Sequence, residues 1–230
     1  MRGGFIKTKL QDFSQKYLHF LQTELEGLNL TAIQDEKDFY VKQILDSVCP
    51  YYQSEKFKSL LQEKGTLIDI GFGGGFPLIP LAYLCPEINF IGIEARMKKV
   101  EGVEKIREFF GLKNVKLIHA RYDDLLLDIP SVVTFKAVGM VVDILNVMNC
   151  YKDQWVYFYK GPQFDEKEVK GLSKIKKYWE FLERDQINLI DPETGVEPDP
   201  SIKERILIGF KCANVPRGTG KKLVKLSQFL

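Results

Sequence analysis

Gly71, Gly73 and Gly75 follow directly on the apolar run Leu67-Ile68-Asp69-Ile70, and a second apolar run, Asn89–Ile93, closes on Glu94 about 20 residues beyond the glycines. Glycine at alternate positions tolerates φ > 0 and lets a ligand approach bare main chain. A carboxylate at that distance is where a nucleotide-binding α/β unit grips ribose hydroxyls. The chemistry these residues support is the binding of a nucleoside-containing molecule by backbone and one acid. A dinucleotide fingerprint requires a third glycine for close packing beside a pyrophosphate, and Phe76 stands there instead. A dinucleotide and a ligand-free structural turn remain the alternatives to a nucleoside without phosphate.

The elements that must position these residues can be read outward from the turn. Leu67–Ile70 is β-favouring, and Pro77 suits the first turn of a helix, Pro77–Leu84, that stops before Pro86. The pattern then predicts a helix over Met97–Phe110 stopped by Gly111, strands at Val115–His119 and Val132–Lys136, and a helix over Met140–Cys150. A strand at Trp155–Tyr159, a helix at Asp165–Lys174, a strand within Tyr178–Leu189 and a last strand at Arg205–Phe210 follow. This alternation predicts an α/β fold: a seven-stranded, mostly parallel sheet with helices on both faces and one antiparallel hairpin.

Ahead of it lie three helical stretches: Phe5–Leu25, a second capped by Asp35 and ending before Pro50, and Ser54–Gln62. The expected organisation is a helical cap over residues 1–64, a core over 65–211 and a basic tail over 212–230. Ligands of open α/β sheets bind beyond the carboxyl ends of the strands. Gly71–Phe76, Glu94, Arg121–Asp124, Lys136 and Lys160 fall there.

The bulk composition excludes several classes. With 45% hydrophobic and 28% charged residues the chain reads as an ordinary globular protein. No apolar run approaches the roughly 20 residues needed to cross a bilayer, and no secretory signal is visible. Cys49, Cys85, Cys150 and Cys212 lack C-x-x-C spacing, which points to free thiols in a reduced cytoplasmic setting. With His19 and His119 the only histidines, no metal site is expected. His119, at a strand end, reads as structural. The segment Lys211–Leu230 contains Lys211, Arg217, Lys221, Lys222 and Lys225 and no acid, whereas Asp191–Asp199 carries four acids and no base. A polyanion is steered toward the first and away from the second.

The Gly-x-Gly-x-Gly turn followed by Glu94 resembles motifs I and II of class I (Rossmann-like) S-adenosylmethionine methyltransferases. The resemblance extends along nearly the whole chain. Asn29-Leu30-Thr31, Val41–Ser47, Asp69–Pro77, Gly111–Val115, Ala120–Asp124, Phe135-Lys136-Ala137, Lys160-Gly161, Arg205–Ile208 and Pro216–Lys221 are similar, in order, to blocks of the glucose-inhibited division protein B family. Its members are bacterial guanine-N7 methyltransferases of 16S ribosomal RNA. The chain departs from that pattern at Lys42-Gln43, where the family usually has Arg-His, and at Lys136, where it has Arg; Lys keeps the charge without the planar fork.

The resemblance implies S-adenosyl-L-methionine as cofactor, held by Gly71, Gly73, Gly75, Phe76, Glu94, Tyr122, Asp123 and Lys136. It also implies 16S ribosomal RNA or the small ribosomal subunit as partner; the free thiols point to the cytoplasm, and with no surplus apolar stripe demanding a dimer a monomer is expected. Lys42, Arg121, Lys160, Arg217, Lys221 and Lys222 are the candidate phosphate contacts, which orient an RNA without reading its sequence. Asn29, Asp46 and Ser47 suit either helix-junction hydrogen bonds or a place in the site.

Guanine N7 offers an in-plane lone pair on the major-groove edge, so methylating it needs positioning and no base. The sequence fits that. An Asn/Asp-Pro-Pro-aromatic block, typical of exocyclic-amine methylation, is missing, and Cys150 lies too far along to be the nucleophile of base-carbon methylation. A small-molecule methyltransferase and a non-catalytic ribosome-assembly protein retaining the cofactor fold are the competing readings.

Overall fold

The computed structural model describes residues 8–151, 154–214 and 222–230. Among them ten strands are formed, in chain order: β1 (Thr66–Ile70), β2 (Asn89–Glu94), β3 (Val115–His119), β4 (Leu125–Leu127), β5 (Val132–Lys136), β6 (Asn149–Cys150), β7 (Trp155–Lys160), β8 (Trp179–Ile187), β9 (Arg205–Cys212) and β10 (Val224–Lys225). Seven make the main sheet, in the order β3-β2-β1-β5-β7-β9-β8. Its first five strands are mutually parallel, while β9 runs antiparallel between β7 and β8. This is the doubly wound sheet with a closing hairpin that the alternation of elements predicts. The change of strand order falls between β1 and β5, beside the glycine turn.

The N-terminal layer comprises α1 (Lys9–Thr23), α2 (Glu36–Phe39), a π-helical turn (Tyr40–Leu45), α3 (Asp46–Gln53) and α4 (Glu55–Lys64). Thr8 and Gln11 close a capping box on α1, and Asp35 and Ser54 accept the backbone N–H three residues on at α2 and α4. The helix does not end before Pro50. It runs through to Gln53, because Val48, Cys49 and Pro50 are all buried and their packing outweighs one missing hydrogen bond. The remaining α-helices are α5 (Leu78–Leu84), α6 (Met97–Phe109), α7 (Val141–Val147) and the single turn α8 (Phe164–Lys167), so the helix expected over Asp165–Lys174 is one α turn followed by a 3-10 helix, Val169–Ile175. The stretch expected as one helix over Met140–Cys150 stops at Val147, since Asn149 and Cys150 pair with β4 instead.

Two apolar clusters cover the two faces of the sheet. Leu67, Phe90, Val132, Tyr157 and Leu207 point to the N-terminal helices, and Ile68, Ile91, Val133, Phe158 and Ile208 to the other face. The acidic segment after β8 clasps the N-terminal layer. Asp191 accepts the Tyr40 hydroxyl at 2.7 Å, Glu193 accepts the Leu10 N–H at 2.8 Å, and Arg205 donates to Asp46 at 3.0 Å. The described end of the basic tail is also part of the fold. β10 joins β4 and β6 in a small parallel sheet, Leu226 is fully buried, and Asp128 accepts both the Ser227 N–H and its hydroxyl.

Candidate functional site

The turn after β1 is built from glycines that sit where side chains cannot. Gly71 has φ +71°, and a Cβ there would lie 2.7 Å from Val138 Cγ2. At Gly74 a Cβ would run into the Leu30 carbonyl oxygen. The cap therefore packs directly on the turn, and Tyr17 of α1 fastens it by donating its buried hydroxyl to the Gly74 carbonyl at 2.7 Å.

A cleft of about 170 Å³ opens beyond the carboxyl ends of β1, β2 and β3, between Gly71, Glu94, Tyr122, Asp123 and Val138. Glu94 is only 8% exposed. Its Oε2 accepts the Gly73 N–H at 3.2 Å and its Oε1 the Arg96 N–H at 3.0 Å. Both oxygens are thus aimed by backbone, and each keeps a lone pair for a further donor. Ile93, Ala120 and Val138 give the cleft apolar walls. Apolar walls with an oriented carboxylate at one end suit a nucleoside: a flat base between the walls, sugar hydroxyls on the acid.

Asp69 sits beneath this turn and was not singled out by sequence reasoning, although an acid inside an otherwise apolar strand is a visible signal. It is 1% exposed and accepts the Thr134 hydroxyl on Oδ1 at 2.8 Å. Among the described residues its Oδ2 has no partner of hydrogen-bonding geometry. Burial pushes its pKa up to about 7, against smaller lowering effects of the Thr134 hydroxyl, the Leu78 amide and Lys136.

The other expected site residues divide into those the cleft gathers and those it does not. Gly71, Glu94, Arg121, Tyr122 and Asp123 line it together. Arg121 forks onto Asp123 at 3.1 and 3.3 Å, and burial raises the Tyr122 hydroxyl pKa. Phe76 turns away into the cap, stacked on Tyr17 with ring centroids 5.2 Å apart and edge-on to Phe39. Gly75 is likewise enclosed, where a Cβ would meet the Tyr17 hydroxyl at 2.5 Å. Lys136 also leaves the cleft: it pairs with Asp46 at 2.9 Å, reaches Gln43 at 3.4 Å and lies 5.8 Å from the Phe76 ring centre. Two of the positions that depart from the family pattern, Gln43 and Lys136, are therefore in contact with one another.

Of the candidate phosphate contacts, Lys42 pairs with Asp38 at 2.7 Å on the surface, and Lys222 is exposed. Lys160 is 12% exposed and spoken for by Glu168 and the Gly139 carbonyl. Arg217 and Lys221 lie outside the described residues. Cations that sequence reasoning missed stand at the rim: Arg96 and Lys98 are exposed at the start of α6, and Lys99 Nζ comes within 3.7 Å of the Cβ position at Gly73. Ser47 spends its hydroxyl on the Gln43 carbonyl, and Asn29 holds φ +47° beside the turn. His119, exposed at the end of β3, meets the Ala95 carbonyl at 3.0 Å.

Comparison with known proteins places the chain in a family. A family model described as rRNA small subunit methyltransferase G matches residues 10–190. A ribosomal RNA small subunit methyltransferase G of Hydrogenovibrio crunogenus is 34% identical over 174 residues, covering 73% of this chain and 74% of that protein. The protein of the same name from Leuconostoc citreum is 36% identical over 111 residues, so the match spans 48% of this chain and about half, 45%, of that relative. Among solved structures, one reported for conversion of a disulfide bond into a thioacetal group during echinomycin biosynthesis superposes with a TM-score of 0.50 at 15% identity, over 71% of this chain and 81% of that one. At that identity the likeness speaks for the fold alone. With a family model spanning most of its length, the chain belongs to the rRNA small subunit methyltransferase G family.

Proposed function

We propose that this protein transfers a methyl group from S-adenosyl-L-methionine to N7 of a guanine in 16S ribosomal RNA, acting as a cytoplasmic monomer. The observation that carries the reading is Glu94, suspended by the Gly73 and Arg96 amides at the mouth of an apolar cleft beside a bare glycine turn. The residues present fit the cofactor: Glu94 for the ribose hydroxyls, Ile93, Ala120 and Val138 around the adenine, and the orphaned Asp69 Oδ2 for the ammonium group. When bound, the cofactor supplies an electrophilic methyl group on a sulfonium.

The chain's own task is then to hold and exclude. Glu94 fixes the sugar, the walls keep water from the ring, and the glycine turn leaves room for close approach of main chain. No side chain is required to remove a proton, because N7 attacks through a lone pair it already presents. Arg96, Lys98 and Lys222 supply exposed cations for the RNA backbone, and Lys42 a half-buried one paired with Asp38. The test is incubation of the protein with methyl-labelled S-adenosylmethionine and small-subunit ribosomal RNA, followed by nucleoside mass spectrometry. Label in 7-methylguanosine is expected. Cofactor binding without transfer to any RNA would favour the assembly-protein reading, and label on another nucleoside would refute the N7 assignment.

A further inference from the structure

The segment joining β5 to α7, residues 137–140, forms the wall of the cleft packed against Gly71, through Val138. It is an awkward piece of backbone. Ala137 has φ +57° and Gly139 φ +64°, and a non-glycine residue at positive φ persists only where its surroundings hold it there. Both ends of the segment are fastened by an ion pair that is nearly enclosed. At the entry Lys136 meets Asp46, with side chains 12% and 9% exposed. At the exit Lys160 meets Glu168, each 12% exposed.

The exit pair grips the backbone itself. Lys160 Nζ donates to the Gly139 carbonyl at 2.8 Å, and Glu168 Oε2 accepts the Val141 N–H at 2.7 Å. Residue 140 is the N-cap of α7, a position that favours Ser, Thr, Asp or Asn, yet it is Met and makes no side-chain cap. Glu168 supplies that cap from another element.

We propose that Glu168 is a positioning residue for cofactor binding, acting with Lys160 as a clamp that fixes the 137–140 wall against the nucleoside. Lys160 on this account orders the protein and does not contact RNA phosphate. The proposal rests on the reading of the cleft as the cofactor site, but the clamp is testable without ligand.

Amide hydrogen exchange on the ligand-free full chain should show Glu168→Ala speeding exchange at residues 137–143 and leaving β1 and β2 protected. Glu168→Gln, which keeps an oxygen for the Val141 N–H but no charge for Lys160, should fall between that variant and wild type. By titration calorimetry, Glu168→Ala should raise the Kd for S-adenosylmethionine about tenfold, with partial recovery in Glu168→Gln. Lys160→Met should weaken cofactor binding similarly while leaving the salt slope of RNA binding unchanged.

Exchange rates identical to wild type in all three variants would overturn the clamp. So would a Lys160→Met protein with unchanged cofactor affinity whose salt slope drops by about 0.7 to 0.9, the loss of one phosphate contact. Should the wild type bind no S-adenosylmethionine, the cofactor reading fails, and the exchange pattern still decides whether the clamp exists.

Discussion

Replacing Asp69 by Asn makes a buried carboxyl permanently neutral while keeping an acceptor for the Thr134 hydroxyl. Burial lifts this group from 3.8 to about 7 in the folded protein. A rise of that size corresponds to about 4 kcal/mol. The native state binds more protons than the unfolded chain between these two values. The carboxyl's contribution to stability is therefore full below pH about 4, drains away as pH climbs through about 7, and stays lost above it.

Asp69→Asn has no such loss. Between pH 5 and pH 8 its unfolding free energy should gain on wild type by about 3 kcal/mol, measured by urea denaturation at both values. Parallel pH profiles for the two proteins would refute the reasoning. A cationic ammonium at Oδ2 lowers the pKa, so S-adenosylmethionine binding at pH 6.5 should release a fraction of a proton, seen by calorimetry in buffers of different ionisation enthalpy, and Asp69→Asn should abolish that release.

Other perturbations follow from the same geometry. Gly71→Ala combines a strained φ of +71° with a Cβ 2.7 Å from Val138, so the folded variant should lose cofactor binding in a calorimetric titration and about 1–2 kcal/mol of stability on denaturation. Glu94→Gln should weaken S-adenosylmethionine binding about 10- to 100-fold, with the sugar's hydrogen bonds to charge removed. Leu226→Ala should cost about 2–4 kcal/mol by denaturant midpoint, which tests whether the chain end is part of the core. Exchanging Arg217, Lys221 and Lys222 for Gln together should lower the salt slope of RNA binding by about two to three without moving the melting temperature. A deletion of the tail would confound these effects, because it also removes Leu226.

The placement of the glycine turn and Glu94 at the strand ends was legible because it is written in local backbone: glycines at alternate positions and an acid at the end of the next strand. The sheet was legible for a related reason, since each of its strands is a short β-favouring run between turn signals. The lysines were not. Lys136 and Lys160 stand at strand ends, where cations facing a ligand are expected, but their charge is taken by Asp46 and Glu168, partners set by tertiary packing that no spacing announces. Phe76 was placed correctly in the chain, yet its apolar ring is drawn into the cap against Tyr17 and Phe39. The helix expected to run to Cys150 lost its last turn to a two-residue pairing with β4, a non-local contact of the kind that overrides propensity. The acidic segment, read from sequence as steering a polyanion away, also clasps the hairpin to the N-terminal helices through Asp191 and Glu193, contacts no spacing announces.

The most direct measurement of the central claim is a crystal structure of the protein soaked with S-adenosylmethionine. Adenine should lie between Ile93, Ala120 and Val138, with both ribose hydroxyls on Glu94 and the ammonium group on Asp69. A cleft that stays empty at saturating cofactor, or that takes up NAD in its place, would contradict the claim.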